Sequence, residues 1–256
     1  MSILAMLVGM MARILSATLV GILLLSGLAI KPIQLVLRIQ NADSVEQGSI
    51  LGYPLRKIAM IRSPIVAGKF YPESPARLNK MIWGMVDEKA AREEVIGLIS
   101  PHAGYIYSGA VTAATLSRVK PKDTFIVLGP NHSGRGRPFS IMTEGMWHTP
   151  LGDVTIDSRL ASQILDDSAY LEDDYGAHEY EHSIEVQLPF LKYFMRDFKL
   201  VPIVLSHAVS SIYREIGSAI ARAVKDLSRE TVIIASSDMT HYEPYESARM
   251  KDNSAV

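Results

Sequence analysis

Phe125–His132 reads FIVLGPNH. A short apolar run rich in β-branched residues and closed by turn formers predicts a buried strand. The same design recurs three times: Val95–His102 (VIGLISPH), Leu200–His207 (LVPIVLSH) and Val232–His241 (VIIASSDMTH). Each apolar run ends in a polar turn that carries a histidine, and the last also carries Asp238. Open α/β sheets bind ligands beyond the carboxyl ends of their strands. The four runs therefore predict imidazoles gathered along one edge of one sheet.

Between these runs lie helical stretches. Ser74-Pro75 opens one, with Pro at the first helical position, running to about Lys89 with Leu78, Met81, Ile82 and Met85 on one face. Ser108 is expected to cap a second helix that ends near Val119, and Ser158 a third ending near Leu165. Glu181–Phe194 (EHSIEVQLPFLKYF) has helical periodicity, with Pro189 kinking or breaking it. Helices over 210–227 and from Pro244 complete the order. Residues 139–143 and 152–156 read as further strands, Ser63–Tyr71 as an extended entry and Asp166–Tyr180 as an acidic loop. Strands alternating with helices argue for an α/β fold with a sheet covered on both faces.

At 256 residues and 48% hydrophobic, the chain can bury a substantial core. A net charge near −1 offers no electrostatic case for nucleic acid. No cysteine is present, so any metal must be held by His, Asp, Glu or water.

Residues 1–59 differ from the rest. Ile14–Ile30 is free of charge between Arg13 and Lys31. Three readings stand: a membrane anchor, a cleaved signal peptide, or a translation start at Met60. Were the segment inserted, the cations downstream of it would keep the main domain in the cytoplasm. The ordered domain is expected over 60–256. Its abrupt end in a helix without a terminal glycine reads as a truncation.

His102 follows Pro101 and precedes Ala-Gly, which leave room around the ring. His132 leaves the sheet through Gly-Pro-Asn. Asp238 and His241 stand three residues apart, so one helical turn would face both to one side. A carboxylate among imidazoles suits Fe(II), and a histidine-rich tetrahedral site suits Zn(II). His207 is weaker, because packing alone explains its surroundings. Glu181, His182 and Glu185 are either a helix-start arrangement or a group sharing the metal edge. His178 and Tyr180 could line the same cleft, whereas His148 reads as structural or rim. Gly129–Gly136, with Arg135 and Arg137, could cradle an anion but lacks a phosphate-loop ending.

GKFYP (68–72), SPHAGYIYSG (100–109), LGPNH (128–132), TPLGDV (149–154), EHSIEVQLPFL (181–191) and SSDMTHY (236–242) together resemble the Memo family. Bacterial and archaeal members are called component B of the AmmeMemoRadiSam system. The resemblance implies a three-layer αβα sandwich around one mostly parallel or mixed sheet, as in class III extradiol dioxygenases. It implies metal positions on His102 and His132, joined here by Asp238 and His241, with His182 or His241 as a general base. Tyr105, Asn131, His178, Glu181 and Glu185 are expected to line the pocket. The metal is expected to be Fe(II), with Cu or Zn as alternatives. The family's third metal-binding residue is a cysteine that this sequence lacks. The resemblance further implies a dioxygenase-like oxidoreductase, or a scaffold holding a small molecule or an anionic peptide beside a radical-SAM partner.

Overall fold

The structure, a computed structural model, describes residues 60–255 together with two short paired strands, β1 (Ser49–Ile50) and β2 (Tyr53–Pro54). The apolar stretch 14–30, with its anchor and signal readings, lies outside the described residues. Among the described residues no helix is long and apolar enough to cross a membrane.

The chain continues through β3 (Ile61–Arg62), α1 (Pro75–Trp83), β4 (Gly97–Ser100), α2 (Tyr105–Leu116) and β5 (Thr124–Pro130). Next come β6 (Phe139–Ile141), β7 (Met146–Trp147), β8 (Val154–Ile156), α3 (Ser158–Asp167), β9 (Glu172–Asp173) and α4 (Tyr175–Glu179). A 3₁₀ turn at Glu185–Gln187 leads into α5 (Leu188–Phe194), β10 (Lys199–Leu205), α6 (Ser210–Asp226), β11 (Thr231–Ser236) and α7 (Tyr245–Ala255).

Strands β3 to β11 form one sheet of nine, whose main path runs β3-β7-β8-β10-β5-β11-β4. Its centre, β8-β10-β5-β11-β4, is wholly parallel. Beside β10, β8 pairs with the first two residues, and β6 runs antiparallel along the last three. All seven residues of β5 are buried, as expected of a strand covered on both faces. On one side α1 and α2 both pack on α5, and on the other α3 packs on α6. The result is the three-layer sandwich expected from the sequence.

Several boundaries differ from the sequence reading, each for a local reason. Helix α1 stops at Trp83 because Gly84 follows; the Gly84 N–H donates to the Lys80 carbonyl and the Met85 N–H to the Ile82 carbonyl. Helix α2 starts at Tyr105, and the Ser108 hydroxyl folds back onto the Ala103 carbonyl instead of capping. The cap of α3 is Asp157, whose carboxylate accepts from the Leu160 N–H. The expected helix over 181–194 begins only at Leu188. Pro189 sits in its first turn, where a missing N–H costs nothing.

Register explains the gathering of side chains. Ser100 of β4 pairs level with Ser236 of β11, and Ala235 pairs with Leu128 of β5. The chains leaving these three neighbouring strands, through Pro101-His102, Ser237-Asp238 and Asn131-His132, therefore emerge at one height.

Candidate metal centre

His102, His132 and His182 converge beyond this edge. Each offers one ring nitrogen, and the three nitrogens lie within 4.8 Å of one another. The rings of His132 and His182 stack at 4.7 Å between centroids, and His102 meets both edge-on, at 5.1 and 5.7 Å. Phe70 closes the far side of His182 in a T-shaped contact at 5.0 Å.

Two of the imidazoles, His132 and His102, are held by their outer nitrogens. His132 Nδ1–H donates to Glu181 Oε1 at 2.9 Å, and its backbone N–H donates to Oε2 at 2.7 Å. The Ser183 N–H adds a third bond to Oε1 at 2.8 Å. Burial alone would raise the Glu181 pKa, but the His132 contact and the Ser183 N–H outweigh it and hold the carboxyl down at about 2. This anion fixes the His132 tautomer and leaves Nε2 bare.

His102 is held by a neutral network. The Ser236 hydroxyl donates to the Ser183 carbonyl at 2.6 Å and accepts from Gln187 Nε2 at 2.8 Å. His102 Nδ1, 3.2 Å from the same hydroxyl, must then be the donor, which leaves its Nε2 bare too. Asp238 Oδ1 accepts from the backbone N–H groups of His102 and Ala103, at 2.6 and 3.2 Å. Burial lowers the His102 pKa to about 4 despite the pull of Asp238, so the ring is neutral at physiological pH. Burial lowers the His182 pKa as well.

Bare imidazole nitrogens, two of them on rings whose outer nitrogens are engaged, are the donor set of a first-row transition metal. The residues therefore fit the metal that the resemblance implies. The three-histidine cluster is not the set read from the sequence as metal positions, His102, His132, Asp238 and His241. His182, expected as a base, completes the group with His102 and His132. Asp238 lies beside it, Oδ2 being 3.8 Å from His102 Nε2. His241 lies farther out at the rim, Nε2 3.5 Å from Asp238 Oδ2, with nearly half its side chain exposed.

Other expected pocket residues support the site from a distance. Glu185 lies in a buried knot, its carboxylate accepting from Arg62, from the Tyr71 hydroxyl (2.6 Å) and from the N–H groups of Ile65 and Val66. Arg62 also donates to the carbonyls of His178 and Glu181 and lies over the Trp147 ring. The knot straps the chain entry to the segment that carries Glu181 and His182. His178 is fully buried, its Nε2 on Ser140 Oγ and its ring edge-on to Trp147. Tyr105 donates to the Val186 carbonyl and packs on Phe190. The Asn131 amide organises its own loop, accepting from Gly134 N–H and donating to the Arg135 carbonyl. His207 is exposed, because β10 lies on the other side of β5, where the Ser206 N–H is tied to the Pro138 carbonyl.

Sequence reasoning gave no supporting role at this site to Arg62, Tyr71, Gln187 and Ser236, although the last three lie within the motifs GKFYP, EHSIEVQLPFL and SSDMTHY.

The family model described as Memo-like protein matches residues 62–256, more than half of the chain. The chain belongs to the Memo family. Among curated Memo relatives, a MEMO1 family protein of Methanopyrus kandleri is 43% identical over 211 residues, covering 77% of this chain and 75% of the relative. One from Pyrobaculum aerophilum is 42% identical, over 77% of this chain and 74% of the relative. Another Memo relative, from Methanococcoides burtonii, is 44% identical, over 75% and 73%.

Proposed function

We propose that this Memo protein holds a redox metal on His102, His132 and His182 and acts as a dioxygenase-like oxidoreductase on a small molecule bound beside it. The convergence of three imidazoles, two with their outer nitrogens already engaged, carries the reading. Fe(II) is the first candidate, with Cu and Zn as alternatives suited to imidazole donors. A bound metal would supply the redox step and polarise a chelating hydroxyl.

The chain's own groups do the remaining work. His241 Nε2, at the rim, is placed to take a proton from a substrate hydroxyl, and Asp238 Oδ2 stabilises the resulting imidazolium. Phe70 walls His182 from solvent on one side. Glu181 holds His132 so that the ring does not turn its bare nitrogen away.

One observation favours a second reading, binding without turnover. Glu181 uses both of its oxygens to hold His132 and the Ser183 N–H, so it is not presented as a free carboxylate ligand. In that case the pocket retains a small molecule or an anionic peptide, alongside a radical-SAM partner.

Metal analysis and anaerobic Fe(II) loading test the metal reading. The parent should take up about one metal per chain, and His102→Ala and His132→Ala should lose it. Equal uptake by the variants would remove the site. Oxygen consumption with catechol then separates turnover from binding.

A further inference from the structure

We propose that Arg135 forms an oxyanion subsite at the mouth of the imidazole pocket, so that the pocket prefers small molecules bearing a carboxylate or phosphate. The inference rests on the pocket reading above and concerns what the pocket selects.

The loop after β5 carries two arginines with different surroundings. Arg137 is paired: its Nε lies 3.1 Å from Glu172, and its backbone N–H donates to Asp174 Oδ2 at 2.6 Å. Arg135 has no carboxylate within ion-pair range among the described residues. Its guanidinium instead lies over the Tyr180 ring, 4.2 Å from the centroid.

Tyr180 directly precedes Glu181, the residue that grips His132. Arg135 is thus tied to the pocket twice, once through its contact with the Tyr180 ring and once through Asn131 Nδ2, which donates to its carbonyl at 3.0 Å. Three residues of chain reach at most about 11 Å, so the Arg135 backbone stays close to His132. The loop is also seated. Gly136 has φ +65°, and a side chain there would strike Asp174 and Ala177.

Lying over the ring and paired with no carboxylate among the described residues, the guanidinium has an N–H edge left to offer. That edge matches the two oxygens of a carboxylate or phosphate. Glu181, the carboxylate beside the imidazoles, is already bonded to His132 and Ser183. Arg135 therefore adds a fixed positive charge at the rim, set to receive the anionic end of a ligand whose other end reaches the imidazoles.

Two probes that differ only by a carboxylate, 3,4-dihydroxybenzoate and catechol, test this on the full chain loaded anaerobically with Fe(II). The parent should bind the acid about tenfold more tightly. Arg135→Gln should bring the ratio close to one. Tyr180→Leu should lower it, and Tyr180→Phe should keep it. An unchanged ratio in Arg135→Gln overturns the proposal. A second arm needs no metal: benzoate and phenyl phosphate are titrated into the metal-free chain while the Arg135 Nε–Hε NMR signal is followed. A saturable shift supports the subsite, and the tighter of the two acids identifies carboxylate or phosphate. Absence of a shift, or one that does not saturate, overturns it. Failure of metal loading would sink the metal reading, while the NMR arm would still decide the subsite.

Discussion

Glu181 shows how one buried anion can organise a site without being a ligand. It is fully buried and accepts three hydrogen bonds, two of them from His132. Glu181→Gln removes the charge that favours Nδ1–H on His132. Metal affinity should fall about 10–100-fold, measured by competition with a chelator, while the fold persists. Ser236→Ala takes away the acceptor for both His102 Nδ1–H and Gln187 Nε2. Unfolding free energy should drop by about 1–3 kcal/mol in urea titration, because a buried donor loses its partner. Arg62→Ala exposes a harsher dependence. It leaves the Glu185 carboxylate buried without its cation, at a cost of about 3–5 kcal/mol. A variant as stable as the parent would show that the knot is not what holds the entry segment.

At the scale of elements, the close approach of β5 to the turn carrying His182 decides whether the cluster assembles. Gly129 lies near the end of β5, and a Cβ there would collide with Ser183 and press on Ile184. Gly129→Ala should destabilise the fold by about 1–3 kcal/mol and weaken metal binding together, since the strain falls between His132 and His182. Loss of stability with unchanged metal affinity would show that the turn can shift without moving the imidazoles. The strands themselves were legible in the sequence. Runs such as Phe125–Leu128 and Val232–Ala235 are too apolar and too β-branched for a surface segment, and the structure buries them. Helix ends were less legible. Asp157 and Ser158 both suit a cap, and only the backbone entering α3 selects Asp157. Pro189 reads as an interruption when the helix is assumed to begin at Glu181, and as a first-turn residue once the chain is seen to turn through His182 and Ser183.

Across the whole molecule, several buried groups titrate in the same direction. His178 is held neutral by burial and by the Arg62 guanidinium, down to about 3 from an ordinary 6.5. Below pH 6.5 the unfolded chain takes up a proton that the folded chain refuses, so stability falls as pH drops from about 6.5 toward 3. His102 acts the same way down to about 4. Glu181, held down at about 2 from 4.5, contributes stability that is lost as pH falls through that interval. Calorimetry between pH 4 and 7 should show Tm rising steadily with pH. A flat profile from 4.5 to 6.5 would mean that His178 and His102 are protonated in the folded state.

The sequence by itself determined the α/β class, the parallel strands and the edge at which His102 and His132 meet. Those follow from local rules: apolar runs make buried strands, and level parallel strands deliver their following residues to one side. It left His182 between a helix start and the metal edge, because that ring hangs on a turn tied down by Arg62, about 120 residues earlier in the chain. Nor could it separate Arg135 from Arg137. Both sit in one glycine-rich loop, and only the folded chain brings Glu172 to one and the Tyr180 ring to the other. Long-range pairing of polar groups has no periodicity to read, so the tertiary structure alone decides which histidines become a site.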